Sequence, residues 1–204
     1  MTTRERARGR ERTALHEAGH AVAALALGIS IESARASEYG GETRFFVTPA
    51  EIPPAAALVV SVAGAAAEQL AVGATDVADD DRAWAERSAF ELVPDLDGLD
   101  DVLERAKAVA LELLTHRWRM VNAVALALLQ AGGNRVSGEE LGRHCPALAV
   151  VDVEELRDRI VDQSRDERSG DRCVRTSGRR REALLSSASP GRRSLVALGG
   201  LSHG

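Results

Sequence analysis

The stretch ALHEAGHAVAALALG, residues 14–28, decides the fold of the first part of the chain. Its apolar side chains recur at steps of three and four residues, which is the spacing of one face of an α-helix. These side chains are Leu15, Ala18, Val22, Leu25 and Ala26. Gly28 follows as a helix stop. The pattern predicts an amphipathic helix over about residues 11–28.

Short β segments and further helices are predicted beyond this helix. Residues 29–37 and 43–48 are partly β-branched or aromatic, and Gly40-Gly41 between them is a turn signal, which predicts a small hairpin. Pro53-Pro54 opens a run of small apolar residues that ends at Gly73 and predicts a buried helix. Apolar spacing predicts further helices over about 82–93, 99–115, 117–131 and 152–164. The expected fold class is mainly α, with a small β-hairpin after the first helix, followed by a helical bundle.

Composition divides the chain into an acidic body and a basic tail. The 204 residues are 45% hydrophobic, which fits one domain plus a tail. Residues 165–204 contain nine arginines and four acidic residues, a net charge of +5. Because the whole chain has a net charge of −5, residues 1–164 have a net charge of −10. We expect a basic N-terminal segment over 1–12, a folded domain over 13–164 and an Arg/Ser/Gly-rich disordered tail over 165–204. The negative charge of the body argues against nucleic acid as its partner, because phosphate binding depends on clustered Lys and Arg, and only the tail keeps that option open.

Several features favour a cytoplasmic location. The N-terminus passes into a short apolar stretch without a cleavage-site pattern, so no signal peptide is predicted. The longest other apolar run, 55–67, has 13 residues, which is short of the roughly 20 that span a bilayer, so no membrane segment is expected. Cys145 and Cys173 form neither a CxxC pair nor a disulfide framework, which favours a reducing compartment.

The segment His16-Glu17-Ala18-Gly19-His20 is an H-E-x-x-H motif on the first predicted helix. Histidines at i and i+4 project from one helix face, one turn apart, which suits two ligands of a Zn²⁺ ion. Glu17 would then take a proton from water that the zinc has acidified and pass it to the leaving amine of a peptide. The motif predicts a zinc metallopeptidase with His16 and His20 as ligands and Glu17 as the general base.

A catalytic zinc needs a third protein ligand, and spacing leaves several candidates open. A metzincin has another histidine six residues after the second one, but that position here is Ala26. The remaining candidates are Glu38, Glu42, Glu68, the triplet Asp79-Asp80-Asp81, His116, His144 and His203.

A larger set of motifs resembles the protease domain of the FtsH family, which are membrane-tethered, ATP-dependent zinc metalloproteases. The set consists of HEAGHAVAALALG, a hairpin, VSVAGAAAEQLAVG over 60–73 and an acidic helix start. The likeness continues through residues 106–114 and 124–130 to 136–141, and covers about 13–160. The chain departs from the family at residues 73–76, where GATD replaces the family's T-T-G, and it has no Walker A loop.

The resemblance implies the rest of the site and its partners. Setting the family's two alanines beyond the ligand onto Ala85 and Ala89 implies Asp81 as the third zinc ligand, ahead of Asp80 and Asp79. It also implies an endopeptidase-like enzyme acting on unfolded proteins or peptides, with a separate AAA ATPase and a homo-oligomer as candidate assemblies. An extended substrate would pair along the edge of the small hairpin.

Two other functions remain open, as do the roles of some single residues. The chain would be a regulatory scaffold if it kept the metallopeptidase fold without turnover, and a nucleic-acid-associated protein if its tail recruited DNA. Glu68 is either a hydrogen-bond acceptor for a ligating histidine or a helix-surface glutamate. Trp84 and Trp118 are expected to be packing anchors outside the site, and Cys145 a buried thiol.

Overall fold

The computed structural model describes residues 3–73, 77–93, 98–146 and 148–161 of the chain. The tail predicted over 165–204 lies outside these residues. The first helix, α1, spans Thr3–Ala26 and so begins well before the predicted residue 11. The early start is explained by a run of Arg and Glu without proline, since both residue types favour helix. Gly28 ends α1 with φ 73°, and Ile29 N donates to Ala24 O at 2.9 Å across the helix end.

A three-stranded antiparallel sheet follows α1. Strand β1 spans Ile31–Ser37 and pairs on one side with β2, Gly40–Phe45, and on the other with β3, Val136–Ser137. The predicted turn at Gly40-Gly41 is wrong by two residues, because Ser37 pairs directly with Gly40 and the loop is residues 38–39. Ser37 closes this loop by donating its hydroxyl to Gly40 O at 2.8 Å.

The remaining helices agree with the prediction of a mainly α fold. They are α2 Pro54–Val72, α3 Asp79–Leu92, α4 Leu99–His116, α5 Trp118–Gln130, α6 Gly138–Arg143 and α7 Val153–Val161. A short 3₁₀ turn, Pro49–Glu51, leads into α2. Strand β3 and helix α6 were not predicted, because two and six residues are too few to show a periodicity.

Helix α2 forms the centre of the core. Residues 55–68 along it are all buried, and it packs against α1, α3, α4 and α7. Its crossing with α1 is close because Gly19 lacks a side chain: a Cβ there would overlap Ala63 O and lie 2.7 Å from Ala67 Cβ. The close crossing brings the two histidines of α1 up to the side of α2.

By length and composition α2 is also apolar enough to cross a membrane. The sequence analysis counted only the 13-residue apolar run 55–67, whereas the helix has 19 residues. In the folded protein 78% of its most apolar 18-residue stretch is buried, which is typical of the core helix of a globular protein.

Candidate metal centre

Three side chains from two helices converge beside α2. Helix α1 presents His16 and His20 one turn apart, with their Nε2 atoms separated by 3.0 Å. Oδ2 of Asp81, in the first turn of α3, lies 2.9 Å from His16 Nε2 and 3.3 Å from His20 Nε2. One donor atom from each residue therefore lies within 4.8 Å of the others, an arrangement able to hold a metal ion.

The spacing of these atoms and the room between them fit a small cation. A tetrahedral site with bonds of about 2.1 Å separates its ligand atoms by about 3.4 Å, close to the separations found here. Gly64 on α2 keeps the space free, because a Cβ at this position would lie 2.5 Å from Nε2 of both histidines. The donor set and the glycine beside it are thus compatible with a bound ion.

Each histidine is held from behind through its other ring nitrogen. His20 Nδ1 donates to the backbone oxygen of Val60 at 2.7 Å, and His16 Nδ1 lies 2.9 Å from Glu68 Oε1. Arg12, one turn before His16, forms an ion pair with the second oxygen of Glu68. A proton on each Nδ1 leaves the Nε2 lone pairs directed at the candidate metal position. Glu68 is therefore an acceptor for His16 rather than a helix-surface glutamate.

Asp81 is the member of the acidic triplet that faces the histidines. It is half-buried, whereas Asp79 and Asp80 are exposed. The start of α3 suits acidic residues, since carboxylates are favoured near a helix N-terminus. The buried residues Ala85 and Ala89, one and two turns later, fix the face of α3 that packs inward and so direct Asp81 into the site.

The other candidate third ligands among the described residues do not belong to the cluster of donor atoms. Glu68 contacts His16 only at Nδ1, the nitrogen turned away from the candidate metal position. Glu38 pairs with Arg6 at 3.9 Å, and Glu42 pairs with Arg44 at 2.6 Å. His116 is the last residue of α4 and His144 follows α6. His203 is outside the described residues.

Glu17 lies beside the triad of His16, His20 and Asp81 and is only 5% exposed. Thr43 of β2 donates its hydroxyl to Glu17 Oε2 at 2.7 Å. Gly41, two residues earlier on the same strand, lies directly against the carboxylate, and a Cβ there would overlap it. Burial raises the pKa of Glu17 above its ordinary value, which favours a carboxyl group that can accept and release a proton.

When no metal is bound, the protonation states of His16 and Asp81 depend on each other. Burial alone would lower the pKa of His16, but its hydrogen bonds to Asp81 and Glu68 outweigh that effect and raise the pKa to about 9. Burial opposes ionisation of Asp81, yet the hydrogen bonds from His16 and His20 hold its pKa well below the ordinary value. A cation bound between these groups would take over the role of the proton on His16.

No protein-family model and no curated protein matches this chain. The resemblance to the FtsH family therefore remains an expectation from the motifs quoted above.

A surface cleft of about 570 Å³ gives access to the triad. Phe45 of β2 and Trp84 of α3 line it, with their ring centroids 5.9 Å apart. Trp84 packs against the core as expected, but the expectation that it lies outside the site is wrong. It follows Asp81 by three residues and so shares its face of α3. Trp118 is half-buried against the core, and Cys145 is buried as expected.

Sequence reasoning missed three residues that shape the site. Gly64 makes room beside the histidines, while Gly41 and Thr43 hold Glu17. Gly41 was noted only as a turn signal, and Gly64 looked like any other small residue in a packed helix. None of them has a local sequence pattern that points to the site, because their partners are 24 to 48 residues away along the chain.

Proposed function

We propose that this protein is a zinc-dependent peptidase that hydrolyses peptide bonds within unfolded proteins or peptides. The observation that carries the proposal is the convergence of His16, His20 and Asp81 in a cleft that also holds the buried carboxylate of Glu17. Two imidazole nitrogens and one carboxylate oxygen form a donor set that zinc accepts, with a fourth position left for substrate or water. When bound, zinc would polarise the scissile carbonyl and acidify water.

The protein's own groups would perform the proton transfers. Glu17 would accept a proton from the attacking water and deliver it to the nitrogen of the leaving amine. Its burial and the hydrogen bond from Thr43 favour one carboxylate orientation at the bottom of the cleft. Glu68 and the backbone oxygen of Val60 would hold the two imidazoles with Nε2 directed inward.

The neighbouring strand offers a site for an extended substrate. Strand β2 pairs with β1 on one side, and no strand among the described residues pairs with its other side. A peptide added to this free edge would make backbone hydrogen bonds, which depend little on its sequence. Only an unfolded segment can pair in this way, so a separate AAA ATPase that unfolds proteins is a candidate partner.

The test is to separate zinc binding from cleavage. Wild type, Glu17→Gln and a control, Glu139→Gln at an exposed position of α6, are compared for zinc content and for cleavage of casein, with and without an AAA ATPase. Glu17→Gln should keep one zinc per chain and lose at least about a hundredfold in rate, while the control keeps both. Equal rates for wild type and Glu17→Gln would refute the proposed role. If wild type binds zinc fully but cleaves no substrate, the peptidase hypothesis fails and the regulatory-scaffold hypothesis takes its place.

A further inference from the structure

Strand β2 holds the Glu17 carboxylate from two sides. The Thr43 hydroxyl lies 2.7 Å from Glu17 Oε2 and 3.4 Å from the Glu17 backbone oxygen, so its single proton goes to the carboxylate. The bare backbone of Gly41 lies against the same group, with Oε1 and the carboxyl carbon among the atoms that a Cβ would meet. The hydroxyl of Thr43 and the bare backbone of Gly41 together form the contact surface for the carboxylate, which we call its seat.

The seat is part of a well-supported strand. Positions 41 and 43 alternate with 42 and therefore share one face of β2. Their partners on β1 are Ala36 and Ala34, both fully buried. Since β1 is itself paired on both sides, the position of Thr43 relative to α1 is fixed by the sheet rather than by a loop.

A glutamate needs such a seat because its side chain has three rotatable bonds. Proton transfer requires heavy atoms about 2.6–3.2 Å apart, and a displacement of about 1 Å can lower a rate by about a hundredfold. Because Oε2 accepts from Thr43, rotation of the carboxylate about its last bond is restricted, and Oε1 lies beside Gly41, which itself lines the cleft. We propose that Thr43 is a positioning residue that orients Glu17 for proton transfer, with Gly41 as the second half of the same seat. This inference rests on the proposed peptidase function.

The kinetic test uses variants that differ by one group. Thr43→Val removes the hydroxyl and keeps the shape, Thr43→Ser keeps the hydroxyl, and Gly41→Ala places a methyl against the carboxylate. In the zinc-loaded protein we expect Thr43→Val and Gly41→Ala to lower kcat by about 10- to 100-fold with little change in KM or zinc affinity. Thr43→Ser should stay close to wild type. The control is Thr115→Val on α4, an exposed position whose hydroxyl donates to a backbone oxygen of its own helix, Leu111 O at 2.7 Å.

A second measurement does not depend on activity. In the metal-free protein, Thr43→Val should lower the folding equilibrium constant by about tenfold or more, since a hydrogen bond to a carboxylate is lost. The same substitution in a Glu17→Ala background should have a clearly smaller effect, because the partner is already gone.

The outcomes separate this inference from the proposed function. Full kcat in Thr43→Val, or equal losses in Thr43→Val and Thr43→Ser, would overturn the positioning role. If wild type binds zinc but cleaves nothing, the peptidase proposal fails by itself, and the double-mutant cycle still decides whether Thr43 holds Glu17. An absence of coupling in that cycle would overturn the inference in either case.

Discussion

Replacing Gly64 by alanine is the sharpest probe of the candidate metal centre. The new Cβ would lie 2.5 Å from Nε2 of both His16 and His20, and 2.6 Å from Cε1 of His16. Ordinary contacts between such atoms are about 3.5 Å, so the imidazoles or the helices must move by about 1 Å. Metal sites tolerate errors of about 0.2 Å in ligand position. The displacement required is therefore several times what a zinc site accepts.

The surroundings leave little room for adjustment. His20 is tied to Val60 O and His16 to Glu68, so neither ring can turn without losing a hydrogen bond. Helix α2 cannot easily move away from α1, because α3, α4 and α7 also pack against it. We expect zinc affinity to fall by about 100-fold or more. Overpacking costs about 1–3 kcal/mol, and alanine gains about 0.5–1 kcal/mol over glycine in a helix, so the net loss of stability is about 0–2.5 kcal/mol. At about 2–4 °C per kcal/mol, the metal-free Tm should fall by at most about 10 °C.

The assay is zinc titration against a competing chelator, together with thermal melting of the metal-free protein. The matched control is Gly9→Ala on α1, a helical glycine whose added Cβ meets nothing within 4 Å. That variant should bind zinc as wild type does and melt slightly higher. Wild-type zinc affinity in Gly64→Ala would refute the assignment of the metal position to the space in front of Gly64.

Three further predictions concern the same site. Asp81→Asn should weaken zinc binding strongly whereas Asp79→Asn should not, as measured by metal content after dialysis, and the reverse ranking would show that the wrong carboxylate was assigned. Glu68→Gln should lower zinc affinity by about 10- to 100-fold with all three ligands intact, because it weakens the acceptor behind His16; an unchanged affinity in the chelator competition would contradict that role. Since the pKa of His16 is raised to about 9 in the metal-free protein, the site holds a proton at pH 7 that zinc must displace, so zinc affinity should rise by about tenfold per pH unit from 7 towards 9. Calorimetry in buffers of different ionisation enthalpy should then show about one proton released at pH 7, and a pH-independent affinity would rule out the raised pKa.

Local sequence patterns predicted the helices well and the short elements poorly. The apolar periodicity of α1 and the small apolar residues of α2 extend over several turns, so they were visible without the structure. The hairpin loop was misplaced because a glycine pair is a strong turn signal, yet here Ser37 closes the loop before the glycines. The start of α1 was placed too late, since its first turns carry no apolar stripe.

The candidate site was predictable only where its residues lie on one helix. His16, Glu17 and His20 follow from helical spacing alone. Asp81 is 61 residues beyond His20 and meets it only through the packing of α3 on α2, so its assignment depended on a family resemblance. Thr43 and Gly64 reach the site from two further elements, and nothing in their own segments indicates the contact.

The apolar character of α2 has a consequence for biosynthesis. The ribosome makes α1 and the hairpin before α2. Helix α4, which also packs on α2, is complete only at His116, 44 residues after Val72 ends α2. During that interval the nascent chain carries a 19-residue apolar segment that α1 and α3 cover only in part and that membrane-insertion machinery and chaperones can bind. Fragments that end before α4 should therefore associate with membranes or aggregate. The later helices protect α2 from these interactions by burying its apolar surface.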